Sequence, residues 1–194
     1  MNKKSANTST GELKHIDKYR PLPDWFAYNP YGIHGIGHAA RVFVWSNMIA
    51  ERLLANGDFL NIDAIRWAAV LHDVGRLSDG IDKGHGARSA DWVAGHRDIL
   101  PDDLSDSVID RILYCCRWHD TSDQMIPAME PELMCIKDAD GLDRVRINDL
   151  NPALLRSEPA RLLVVDAWVL YWTTEQSVDS WGMALKFAGR RGYL

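Results

Sequence analysis

Apolar side chains recur along this chain every three to four positions, the period of a helix with one buried face. Over residues 35–56, Val42, Val44, Trp45, Met48, Ile49 and Leu53 trace such a face, and Asn56-Gly57 supplies a stop. A second helix is predicted over residues 61–74, with Asn61 as its cap and Ile62, Ile65, Ala69 and Val70 turned inward. Further helices are expected over residues 87–99, over 105–118 with Ser105 or Asp106 as the cap, and from Pro131 toward Asp140 or beyond. A strongly apolar helix follows over 158–175, then a short amphipathic one over 181–194. No useful length of chain alternates with the two-residue period of a strand, and no segment repeats. The expected fold class is all-α, an irregular single-domain bundle of six or so helices.

Residues 1–18, rich in Ser, Thr, Asn and Lys, read as a flexible tail, and residues 19–194 as the domain. Pro21, Pro23 and Pro30 make residues 19–31 an extended lead-in rather than a helix. The length of 194 residues suits one domain with a substantial core. A net charge of −5 argues against a general nucleic-acid binder. Neither a signal-peptide core nor an apolar run of membrane-span length is visible, so the expected location is cytoplasmic, with no membrane partner. Cys115, Cys116 and Cys135 are odd in number and form no CxxC pair, which reads as reduced thiols in or near the core. The eight tryptophans, Trp45, Trp67, Trp92, Trp118, Trp168 and Trp172 among them, read as core. Asp102, Asp103 and Asp106 read as a solvated acidic run.

The chemistry gathers at Ala68-Ala69-Val70-Leu71-His72-Asp73-Val74-Gly75-Arg76, an oily helix that ends in an adjacent histidine and aspartate. Buried, such a pair needs a compensating charge. Imidazole nitrogen and carboxylate oxygen are donors that divalent first-row metals accept together. The plain alternative is a helix end where His72 complements the dipole and Asp73 pairs with Arg76. Other donors stand at predicted helix ends or beside loops: His38, His85, His119 and Asp140. In a bundle, such ends can converge on one cleft. Cations for a phosphate are available in Arg76 and Lys83, on the polar loop of residues 76–86, and next in Arg41, Lys137 and Arg144. His34, four residues before His38, could face the same cleft. His15 and His96 read as surface residues.

Three segments carry a resemblance: His34-Gly-Ile-Gly-His38-Ala-Ala-Arg41-Val42, Leu71-His72-Asp73-Val74-Gly75-Arg76 and Lys137-Asp138-Ala139-Asp140-Gly141-Leu142-Asp143. In that order they resemble the HD superfamily of metal-dependent phosphohydrolases, over about residues 32–145, with the C-terminal helices of 152–194 outside the motifs. The resemblance implies an HD-type helical bundle in which His38, His72, Asp73 and Asp140 bind a first metal. Asp138 and Asp143 are the competing aspartates in the last segment, and its alignment favours Asp140. Two-metal members add two histidines where His85 and His119 stand, with Asp73 then bridging the ions. A Gly-Tyr-Pro signature with paired histidines, found in the cyclic-dinucleotide phosphodiesterases, is missing. The further segments of deoxynucleotide triphosphohydrolases and alarmone hydrolases are not recognised, so the subfamily is not assigned.

The implied activity is hydrolysis of a phosphate ester in a small substrate, which could be a nucleotide, by metal-activated water. The cofactor is one or two divalent ions, and mixed N/O ligation favours Mn, Fe, Co, Ni or Zn over Mg alone. Asp73 and Arg76 are the expected catalytic residues, and His34, Arg76, Lys83 and Arg144 the expected substrate contacts. The alternatives are an HD-type di-iron oxygenase, which the same six donors permit, and a metal-binding regulatory module without catalysis. Oligomeric state and substrate identity are not encoded in any pattern we recognise.

Overall fold

The computed structural model describes residues 15–192. Among them eight α-helices follow one another: α1 (Ile36–Ala55), α2 (Ile62–Leu71), α3 (His85–Gly95), α4 (Asp106–Trp118), α5 (Pro131–Asp143), α6 (Glu158–Arg161), α7 (Val164–Thr174) and α8 (Ser180–Arg190). No strand occurs among the described residues, and no helix there is long and apolar enough to cross a membrane. The fold is all-α.

Helix α1 is the axis of the bundle. Every residue from His38 to Ala50 is buried, as expected of a helix apolar nearly all round. It packs against α2, α5 and α8, while α4 lies on α2 and pairs closely with α3. Tyr19, Phe43, Trp67 and Trp181 interlock beside it, with ring centroids 4.9–5.5 Å apart. Burying each such ring is worth about 1.5–3 kcal/mol. Ile16 is buried too, and Asp17 accepts a hydrogen bond from the Trp181 indole, so the packed body begins ahead of residue 19. Residues 1–14, most of the expected tail, lie outside the described residues.

Local chemistry sets most boundaries. The Asn61 side chain accepts from the Ala64 amide at 2.8 Å and starts α2 as a cap. Ser105 stands at the cap position of α4, but its hydroxyl turns to Ser107 and makes no cap bond. Helix α3 starts at His85 and stops at Gly95, earlier at both ends than its periodicity suggests, and a separate turn (Arg97–Ile99) fills the remainder. The expected helix over 158–175 is two pieces. At Leu163 the amide reaches back only three residues, to Ala160, and this tight turn separates α6 from α7. The three cysteines are free and buried. Trp172 departs from the core reading: it is 65% exposed, in a stripe with Leu162, Val165 and Val169.

Candidate metal centre

Five helix ends meet at one point. His38 comes from the first turn of α1, His72 and Asp73 from the turn that closes α2, His85 from the start of α3, His119 from the end of α4, and Asp140 from the last turns of α5. Two glycines allow the approach. A Cβ on Gly75 would stand 2.4 Å from the Ser89 amide nitrogen, and one on Gly86 would stand 2.6 Å from the Cys116 carbonyl oxygen. Their absent side chains let α3 press against both the His72-Asp73 turn and the end of α4, which sets His85 opposite His119.

Each of the four histidines is fixed from its Nδ1 side. The Nδ1–H of His72 donates to the Ala69 carbonyl (2.9 Å), that of His85 to the Asp82 carbonyl (2.7 Å) and that of His119 to the Cys116 carbonyl (2.7 Å). The Nδ1–H of His38 donates to the Asp143 carboxylate at 2.7 Å, and Arg41 holds that carboxylate in turn through its Nε (2.5 Å) and Nη2 (3.0 Å). A carbonyl can only accept, so in the neutral rings Nε2 carries the lone pair. All four Nε2 atoms point inward. His38 and His72 Nε2 are 3.0 Å apart, and so are His85 and His119 Nε2. Two bare nitrogens at that distance repel unless a cation lies between them.

Asp73 stands between the two pairs. Its Oδ2 is 3.4 Å from His38 Nε2 and 3.8 Å from His72 Nε2. Its Oδ1 is 2.9 Å from His85 Nε2 and 3.4 Å from His119 Nε2. Asp140 joins the first pair, its Oδ1 3.5 Å from His38 Nε2. Oδ1 of Asp73 is buried without a hydrogen-bond partner, a costly state for a carboxylate oxygen. Facing lone pairs and an orphaned carboxylate oxygen are what a divalent cation satisfies. The residues fit one ion at His38, His72, Asp73 and Asp140 and a second at Asp73, His85 and His119.

The electrostatics agree with that use. Burial holds His72 down at about 3, so the ring is a neutral donor at physiological pH. Burial alone would raise Asp73, but the surrounding histidines, His72 foremost, keep its carboxyl well below the usual range. Asp140 is likewise lowered against burial, chiefly by Arg146, then by His38 and His72. Both carboxylates are ionised and ready for a cation.

More than half of the chain, residues 35–145, matches the family model described as HD domain. The chain belongs to the HD domain family. No curated protein and no solved structure matches it. His72-Asp73 lies within the matched residues, and the three aspartates of the last segment divide their work. Asp140 faces the cluster. Asp138 accepts from the Arg156 amide, the Ser157 amide and the Ser157 hydroxyl, and so ties α5 to the segment before α6. Asp143 accepts from the His38 Nδ1–H and so orients that ring.

The expected substrate contacts divide as well. Arg76 is buried beside the second donor pair, its Nη1 3.2 Å from His85 Nε2 and 3.8 Å from Asp73 Oδ1, while its other nitrogens donate to the carbonyls of Ser78 and Gly80. His34 is at the centre, its Nδ1 3.0 Å from Asp73 Oδ2. Arg144 lines a cavity of about 450 Å³ together with His119 and Asp140, and its side chain pairs with Asp149. Lys83 is exposed in the loop; its carbonyl receives Arg88, and its side chain is not drawn into the cluster. Lys137, a reserve cation in the sequence, instead donates to the carbonyls of Trp118, His119 and Thr121 and closes the end of α4. Sequence reasoning passed over Arg146. Its side chain is 4% exposed, with Nη1 3.7 Å from Asp140 and 3.6 Å from Asp143. Only the fold brings it there, because nothing in the residues around it marks it from Arg144.

Proposed function

We propose that this HD-domain protein is a metal-dependent phosphohydrolase acting on a small phosphorylated substrate, which nucleotides would satisfy. The observation that carries the reading is the double cluster around Asp73, two histidine pairs with bare nitrogens on the two oxygens of one carboxylate. Bound divalent ions supply acidified water and charge neutralisation at phosphorus. In this proposal Asp73 holds both positions together. His38, His72 and Asp140 complete one, and His85 and His119 the other. Arg76 offsets charge that builds on the phosphoryl oxygens, and Arg144, in the lining of the 450 Å³ cavity, contacts the substrate. That cavity also carries Lys137, Arg156, Gln124 and Asn151, and its volume is in the range of small-molecule sites. The nitrogen-rich donor set favours Mn, Fe, Co, Ni or Zn over Mg.

The test is a panel of phosphorylated metabolites assayed with metal-stripped protein, with each of Mn, Co, Ni, Zn, Fe and Mg, and with His72→Ala and Asp73→Ala. Release of phosphate that needs the added ion and vanishes in both variants is expected. Undiminished turnover in metal-stripped protein would overturn the proposal.

A further inference from the structure

His34 is the one histidine at the centre that the six-donor cluster leaves out. It sits in the turn before α1 with its side chain 13% exposed, and its Nδ1 faces Asp73 Oδ2 at 3.0 Å. That contact looks like an ordinary histidine–carboxylate hydrogen bond until the second neighbour of Nδ1 is included. Arg146 Nη2 lies 3.1 Å from the same nitrogen. A guanidinium only donates, so Nδ1 is the acceptor and its proton resides on Nε2. Nδ1 and Oδ2 of Asp73 then face each other as two electron-pair donors, which is the arrangement of the Nε2 pairs in the same cluster.

The second half of the cluster shows the same pattern. His85 Nε2 lies against Asp73 Oδ1 and receives Arg76 Nη1 at 3.2 Å. His34 stands to Arg146 and Oδ2 as His85 stands to Arg76 and Oδ1. His34 Nδ1 and His38 Nε2 lie 3.0 and 3.4 Å from Asp73 Oδ2, and each of the three residues offers a ligand atom within 4.8 Å of the others, close enough to share one ion.

We infer that His34 is a seventh metal donor, binding through Nδ1 the ion held by His38, His72, Asp73 and Asp140, and not a contact to substrate. The ion takes the lone pair that Arg146 now holds. Arg146, whose Nε and Nη1 already lack acceptors, is then left with its N–H groups free beside Asp140. The turn that carries His34 is fixed independently of the ion: the Ile36 amide donates to the Pro30 carbonyl at 2.8 Å, and the Gly35 amide to that of Gly32 at 3.0 Å. Ring replacement therefore leaves the backbone there in place.

The inference rests on metal binding at the cluster and is read without turnover. Metal-stripped protein is titrated with Co(II), whose visible absorption reports its ligands, in the natural chain, in His34→Ala and in His34→Gly with and without added imidazole. The expected result is a changed Co(II) spectrum in both variants, with affinity at the first position lowered by at least the roughly 10–100-fold that loss of an outer-sphere partner costs. Imidazole then restores the natural spectrum in His34→Gly. Identical spectrum and affinity in His34→Ala would overturn the inference while leaving the six-donor centre intact. A changed spectrum that imidazole does not restore would also overturn it, since the ring would be acting on structure alone. A natural chain that takes up no Co(II) would overturn it together with the metal reading of the whole site.

Discussion

The two halves of the candidate metal centre are built differently. His38 and His72 are both 1% exposed, and they sit on α1 and α2, whose surroundings are the hydrophobic core. His85 and His119 are 8% and 5% exposed, and they come from the start of α3 and the end of α4, with Arg76 and Asp82 of the polar loop against His85. The first half has an outer sphere of charged side chains, Asp143 with Arg41, and a second carboxylate donor in Asp140. The second half relies on backbone carbonyls, with Asp120 Oδ2 3.3 Å from His85 Nδ1 as its nearest extra carboxylate. Five protein donors, with His34 counted, and a buried support are expected to make the first position the tighter one. The second has three donors, one of them shared, and depends on the loop. One aspartate gives both halves a common member, so they stand or fall together at Asp73 and separately elsewhere.

The largest effect should come from Asp73→Ala. It removes a donor from both positions, so elemental analysis should find neither ion and phosphate release should drop to background. His85→Ala should split the halves: one ion per chain is kept, the second is lost, and turnover falls with it. Two retained ions would show that the second position does not need the α3 donor. Next in size is Asp143→Asn, which leaves every candidate donor in place but weakens the support of His38 together with the buried ion pair to Arg41. First-position affinity should fall about 10–100-fold, measured by competition with a chromophoric chelator, with the second position unchanged.

Chelation should be felt in stability. An ion at 100 times its dissociation constant adds about 2.7 kcal/mol, and its removal should lower Tm by several degrees in a calorimetric scan. The smallest effect belongs to Lys83→Ala. An exposed lysine outside the cluster should change stability by less than about 0.5 kcal/mol and leave metal content and turnover unaltered. A clear rise in KM would instead place this side chain on the substrate.

Much of this was legible in the chain, for reasons that differ by residue. Helices α1, α2 and α5 follow from apolar spacing, the Asn61 cap and Pro131, because those signals act within a turn or two. The six candidate donors could be named because each stands at a recognisable helix end or in an HD-type segment. The interruption at Leu162–Leu163 was not legible, since the buried positions 160, 163, 167 and 170 keep helical spacing across it. Trp172 was misplaced for a related reason: periodicity marks an apolar face but not whether another element covers it.

By itself, then, the sequence determined an all-α fold, the HD-domain family and a set of nitrogen and oxygen donors suited to divalent metals. Tertiary structure decided which of three neighbouring aspartates faces the cluster, that Lys137 closes a helix and is not free for phosphate, and that Arg146 and His34 meet at Asp73 across 112 positions of chain. Those outcomes depend on distances between residues far apart in sequence. Local propensity and spacing carry no such information, and only the packing of five helix ends around one carboxylate supplies it.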